Sequence, residues 1–113
     1  MITIYHNPRC STSRQTLELV NKQKDEVKVI EYLKTPPDKK ELKEILKKLG
    51  VKASQLLRRK EELFKERYKD KNLSEDEWLE VLVKNPILIE RPIVIKENKG
   101  VIGRPPENIL EIL

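Results

Sequence analysis

The chain has 113 residues, 38% of them charged and only 4% aromatic, with a formal net charge of +5, one cysteine and one histidine. That length suits one domain, residues 1–113, built around Leu, Ile and Val, and a single cysteine excludes an internal disulfide. One cysteine with one histidine falls short of the usual protein metal site, so none is expected. No apolar run approaches the roughly 20 residues of a membrane span and the N-terminus has no signal-peptide pattern, so a cytoplasmic protein without membrane contact is expected. The lysines alternate with glutamates on helical faces and no aromatic-basic interleaving accompanies them, so no nucleic-acid partner is expected.

Ile2-Thr3-Ile4-Tyr5 reads as a strand. The polar loop from His6 to Cys10 follows, and Ser11 or Thr12 can cap a helix reaching about Gln23, with Leu17 and Val20 on one face. Val27 to Tyr32 reads as a second strand. Strand, helix and strand at this spacing make a βαβ unit with parallel strands, and ligands of open α/β sheets gather at the carboxyl ends of such strands. Thr35-Pro36-Pro37 ends the unit. Asp38 and Glu41 then form a capping pair for a helix whose Leu42, Ile45, Leu46 and Leu49 make one apolar stripe, stopped by Gly50. From Ser54 to Lys71 short helices with loose joints are expected. Ser74 to Glu77 starts another helix, on which Trp78, Val81 and Leu82 repeat at helical spacing until Asn85-Pro86, and Trp78 reads as core. Residues from about 38 to 86 are thus a helical insert. Ile93-Val94-Ile95 and Val101-Ile102-Gly103 are strands of a hairpin turning through Glu97 to Gly100, and Pro105-Pro106 opens a terminal helix through Leu113.

The chemistry concentrates in the first loop. A lone intracellular cysteine is most often a small buried hydrophobe, but Cys10 stands among Arg9, Ser11, Thr12 and Ser13 at the start of a helix. Backbone amides there favour negative charge, and with His6 and the arginines nearby in sequence they should lower the thiol pKa from about 8.5 into the range of roughly 3.5 to 7.5. The same donors would attract an oxyanion. Arg91 and Arg104 lie at strand ends, where side chains can turn toward that loop.

A βαβ unit with a reactive cysteine at its first helix, followed by helices, a hairpin and a last helix, resembles thioredoxin-like proteins: a four-stranded mixed sheet flanked by helices. His6-Asn7-Pro8 before Cys10, Ser13-Arg14 after it, Leu56-Leu57-Arg58, Asn85-Pro86-Ile87-Leu88-Ile89 leading into Arg91-Pro92-Ile93-Val94, and Arg104-Pro105 further resemble the glutaredoxin-coupled arsenate reductase family over essentially the whole chain. The resemblance implies that Cys10 is the nucleophile, that Arg58, Arg91 and Arg104 bind the oxyanion, and that His6 and Ser13 favour the thiolate. It also implies that Arg14 supports the loop and that Pro92 is a cis proline beside the site. Between Arg58 and Arg59, the family register selects Arg58, which spacing alone does not.

The implied reaction is attack of Cys10 on arsenate with loss of water or hydroxide. With no second cysteine, reducing equivalents come from outside, from glutathione as co-substrate and then glutaredoxin, with no bound cofactor and a monomer expected. Members of established activity typically carry smaller residues beside the cysteine than Arg9 and Ser11, and Arg9 should add positive charge or narrow the entrance. The competing readings are an Spx-type regulator that binds RNA polymerase, disfavoured because Ser13 replaces the second cysteine of a Cys-x-x-Cys switch, and a thiol-dependent reductase of another substrate.

Overall fold

The computed structural model describes residues 1–113. Its sheet has four strands in the order β2-β1-β3-β4: β1 (Ile2–His6), β2 (Val27–Glu31), β3 (Ile93–Lys96) and β4 (Lys99–Ile102). β1 runs parallel to β2, with His6 opposite Glu31, and antiparallel to β3, which pairs antiparallel with β4. This mixed sheet with flanking helices is the expected thioredoxin-like arrangement.

Alternation along β1 gives each face of the sheet its own core. Ile2 and Ile4 point to the side covered by α1 (Ser11–Asn21) and the terminal 3₁₀ segment Pro106–Glu111, where Val20, Val94 and Ile109 join them with no exposed surface. Tyr5 points to the other side, into a larger cluster with Tyr32, Leu42, Ile45, Trp78, Leu82, Leu88 and Ile93. Each such aliphatic side chain, fully buried, contributes about 1.5–3 kcal/mol, which holds the helical insert against the sheet.

Caps set the insert's joints. Asp38 accepts from Glu41 N at 2.8 Å to start α2 (Lys39–Leu49), and Gly50, at φ 68°, ends it in the left-handed conformation where glycine carries no Cβ penalty. Glu41 does not return the cap, because its carboxylate accepts from the Tyr5 hydroxyl at 2.8 Å instead. The loosely jointed stretch resolves into the 3₁₀ segment Ala53–Leu56 and the short α3 (Glu62–Arg67). Ser74 and Glu77 form a reciprocal capping box at the start of α4 (Glu75–Lys84). Trp78 is core as expected, 6.1 Å from both the Phe64 and Tyr68 ring centroids.

Five expectations are corrected. Neither Ser11 nor Thr12 caps α1; Cys10 occupies the cap position, its carbonyl accepting from Arg14 N at 3.0 Å, and the helix ends at Asn21 rather than Gln23. β2 ends at Glu31, leaving Tyr32 just past the strand. The hairpin turns at Glu97-Asn98, with Glu97 at φ 57°, and Gly100 pairs with Ile95 inside β4, where a Cβ would stand 2.6 Å from the Ile95 Cδ1. The last helix is 3₁₀ and stops at Glu111 rather than Leu113.

Candidate active site

The His6–Cys10 loop leaves the carboxyl end of β1 and is tied by its own polar groups. Cys10 N donates to Asn7 O at 3.0 Å and Arg9 N to Asn7 Oδ1 at 3.0 Å, closing a tight turn. Ser13, fully buried in the first turn of α1, receives Asn7 N on its Oγ at 3.0 Å and holds His6 Nδ1 at 2.6 Å. Arg14 Nη1 clasps Pro8 O at 3.0 Å from outside. The sulfur of Cys10 thereby sits at the start of an eleven-residue helix, within reach of the Ser13 backbone N–H.

Cationic groups reach the sulfur from the far end of the chain. Arg104 Nη2 lies 3.4 Å from Cys10 Sγ, and Arg104 Nε donates to Arg91 O at 3.3 Å. Burial pushes the thiol pKa up, but the Ser13 backbone N–H, the hydrogen bonding and charge of Arg91 and the charge of Arg104 outweigh it, and the net shift is downward. Desolvation, ahead of the opposing pull of Glu31, lowers His6 below its usual value, with Arg14 adding to the lowering. His6 is therefore neutral near pH 7. The expectation that His6 and the arginines nearby in sequence lower the thiol pKa is corrected accordingly: Arg9 is exposed, Arg14 holds the loop, and the charges on the thiol belong to Arg91 and Arg104.

The geometry around Gly103 explains how Arg104 arrives. Gly103 N donates to Pro92 O at 2.9 Å, and Thr16 Oγ1 reaches both Gly103 O at 3.1 Å and Thr12 O at 2.9 Å. A Cβ at Gly103 would stand 2.8 Å from two Thr16 side-chain atoms and 3.1 Å from the Pro92 ring, so only glycine lets the β4 exit lie this close to α1. The Arg91-Pro92 bond is cis, as the resemblance implies, and so is Arg104-Pro105, which the sequence reading did not anticipate.

Arg58 is brought to the same edge by a two-residue bridge between Leu57 and Ile89, flanked by Arg58 N to Leu88 O at 2.7 Å and Glu90 N to Leu56 O at 2.8 Å. Its Nε pairs with Glu61 at 3.0 Å and its Nη1 with Glu90 at 3.1 Å. Arg91 Nη1 also reaches Glu61, at 3.4 Å, and Arg104 Nε lies 3.6 Å from Glu90. Arg59 donates to Ser54 O at 3.2 Å, with its guanidinium 5.3 Å from the Phe64 ring centroid. Arg58, Arg104 and Glu90 share a surface hollow of about 240 Å³ with Leu57, Arg59 and Lys60.

Glu61 and Glu90 are the site residues that sequence reasoning missed. Their signals were present, three residues after Arg58 and immediately before Arg91, but charged pairs at such spacing also occur throughout this surface. Tyr32 follows β2 directly. It is 1% exposed and its hydroxyl has no hydrogen-bond partner.

A thiolate at a helix start with converging guanidinium groups can attack an electrophilic centre in a tetrahedral oxyanion and hold its remaining oxygens. The comparisons fit this chemistry. The ArsC family model matches residues 5–112. The uncharacterized protein YfgD of Escherichia coli K12 is 49% identical, covering 99% of this chain and 96% of its own. An arsenate reductase of Neisseria meningitidis serogroup A is 45% identical over 99% of this chain and 97% of its own. The structure of an arsenate reductase from Vibrio cholerae superposes with a TM-score of 0.92 at 46% identity, covering 99% of this chain and 97% of that one. With the family model matched over nearly the full length and relatives 45% and 49% identical across 99% of the chain, the chain belongs to the ArsC family.

Proposed function

We propose that the protein is an arsenate reductase of the glutathione and glutaredoxin type. The observation that carries this reading is Cys10 Sγ at the start of α1 with Arg104 Nη2 3.4 Å away and Arg91 beside it. Arsenate, a mono- to dianion near neutral pH, enters against the arginines, which exchange part of their pairing with Glu61 and Glu90 for its oxygens. The Cys10 thiolate attacks arsenic, an S–As bond forms, and one oxygen leaves as water after gaining protons. His6 and Ser13 act through geometry, holding the loop so that the Ser13 N–H faces the sulfur.

Two electrons must then reach arsenic. Cys10 is the only cysteine, so the protein has no thiol with which to resolve the adduct. In this reading two external thiols supply the electrons: glutathione attacks first, glutaredoxin removes it, the pair leaves as a disulfide, arsenite is released and the Cys10 thiolate returns. Arsenate and two thiols thus give arsenite, one disulfide and one water.

The test is an assay containing arsenate, glutathione, glutaredoxin and glutathione reductase, following NADPH oxidation. Arsenate-dependent turnover by wild type, lost in Cys10→Ser and absent when either thiol component is omitted, is the expected result. Turnover that survives Cys10→Ser, or that proceeds through repeated cycles without external thiol, would overturn the proposal.

A further inference from the structure

Among all buried side-chain nitrogen and oxygen atoms, two have no hydrogen-bond partner: Tyr32 Oη and Arg91 Nε. Buried polar groups are normally paired, because an unpaired donor keeps the full cost of its lost water. Both orphans belong to the edge of the sheet that carries Cys10. Tyr32 follows Glu31, which pairs with His6 where the cysteine loop begins, and it shares the sheet face of Tyr5 and Ile93. The charged groups acting on its hydroxyl are Arg91, Cys10, Arg58 and Glu90, all of them around the site. Burial, the largest influence, raises the phenol pKa, so the hydroxyl keeps its proton and remains a donor at physiological pH.

Each nearby guanidinium is already engaged through at least one nitrogen. Arg58 is held by Glu61 and Glu90, Arg91 Nη1 by Glu61, and Arg104 by Arg91 O and the Cys10 sulfur. The charges of Arg58, Arg91 and Arg104 are balanced by Glu61, Glu90 and the thiolate. A neutral donor beside this set therefore adds affinity that no carboxylate cancels.

We propose that Tyr32 is a further substrate-binding residue: its hydroxyl, together with Arg91 Nε, donates to the oxygens of a tetrahedral oxyanion bound at Cys10. This deepens the arsenate reading above and rests on it for the identity of the oxyanion, whereas the donor pair rests on two unpartnered buried atoms at the sheet edge that carries Cys10. No proton or electron is transferred by Tyr32; it binds oxygens that stay on arsenic.

The experiment measures how arsenate, phosphate and sulfate, each alone and without reductant, protect Cys10 from iodoacetamide in wild type and Tyr32→Phe. The pH profile of alkylation and the urea midpoint of each protein are recorded alongside. Loss of a hydrogen bond to a charged group weakens binding about tenfold or more, so Tyr32→Phe should need at least that much more oxyanion for equal protection, with the alkylation midpoint unmoved. Equal protection in the two proteins overturns the proposal. So does a lower urea midpoint with protection unchanged, which would mean that the hydroxyl serves the fold through a bound water. A protection loss tracked by an equal shift of the alkylation midpoint also overturns it, since Tyr32 would then act through the thiol, as does failure of all three oxyanions to protect wild type. If phosphate or sulfate protects in a Tyr32-dependent way while wild type fails to reduce arsenate, Tyr32 stands and the arsenate reading falls.

Discussion

The Cys10 thiol is held below its usual pKa by the Ser13 backbone N–H and by two arginines more than 80 positions away in the chain. Arg91 and Arg104 lower its pKa against the opposing effect of burial, so removing either guanidinium should move the alkylation midpoint upward. Arg91→Ala should move it further, because Arg91 acts through both hydrogen bonding and charge, and a midpoint unchanged in both variants would contradict the assignment. Glu90 pulls the other way. It holds Arg58 Nη1 at 3.1 Å and lies 3.6 Å from Arg104 Nε, in the place of a competing anion. Glu90→Gln keeps the shape and removes the charge, so arsenate KM should fall several-fold and the Cys10 midpoint should drop, both readable in steady-state kinetics and alkylation. An increase in KM would show instead that Glu90 serves to orient Arg58.

Between elements, the closest fit is at the β4 exit. Gly103→Ala places a methyl group against Thr16 and the Pro92 ring, at 2.8 and 3.1 Å, and the β-branched Thr16 in a helix has little freedom to yield. The backbone before Arg104 must shift, so kcat/KM should fall at least about tenfold, since small displacements of positioning groups are that costly. Wild-type kinetics in Gly103→Ala would show that Arg104 does not need this placement. The α4 start offers a test without consequence for the site: Ser74→Ala removes one arm of the capping box and should cost about 1 kcal/mol in urea unfolding, with arsenate turnover unchanged. These elements also show what was legible in advance. Apolar spacing and caps disclosed α2, α4 and the βαβ unit, because both are local signals. The cap at Cys10 was not legible, because the capping candidates Ser11 and Thr12 lie already inside α1 and no side chain caps the helix. The terminal 3₁₀ segment was read as an α-helix because Pro105-Pro106 also suits an α-helical first turn.

At the scale of the whole molecule, the sheet gathers segments that the sequence keeps apart. The family motifs pointed to Cys10, Arg58, Arg91 and Arg104, but Glu61, Glu90 and Tyr32 come into view only once β1, β3 and the Leu57–Ile89 bridge lie side by side. Folding and ionisation are linked through the same assembly. The folded thiol pKa lies below its unfolded value, so its contribution to stability is complete above about pH 8.5 and fades as pH falls through the folded value. Unfolding free energies of wild type and Cys10→Ser should therefore diverge in favour of wild type as pH rises from 5 to 9. His6, with its pKa also lowered, acts in the same direction at lower pH: its stability is complete above about pH 6.5 and is lost as pH falls below that. The central claim is that distant arginines and the α1 terminus hold Cys10 as the attacking thiolate. The rate of iodoacetamide alkylation of wild type as a function of pH, set beside the pH dependence of kcat/KM for arsenate, tests it most directly. The prediction is one shared ionisation with a midpoint clearly below the usual thiol value of about 8.5; a midpoint at or above that value, or a kcat/KM profile that ignores it, would contradict the account.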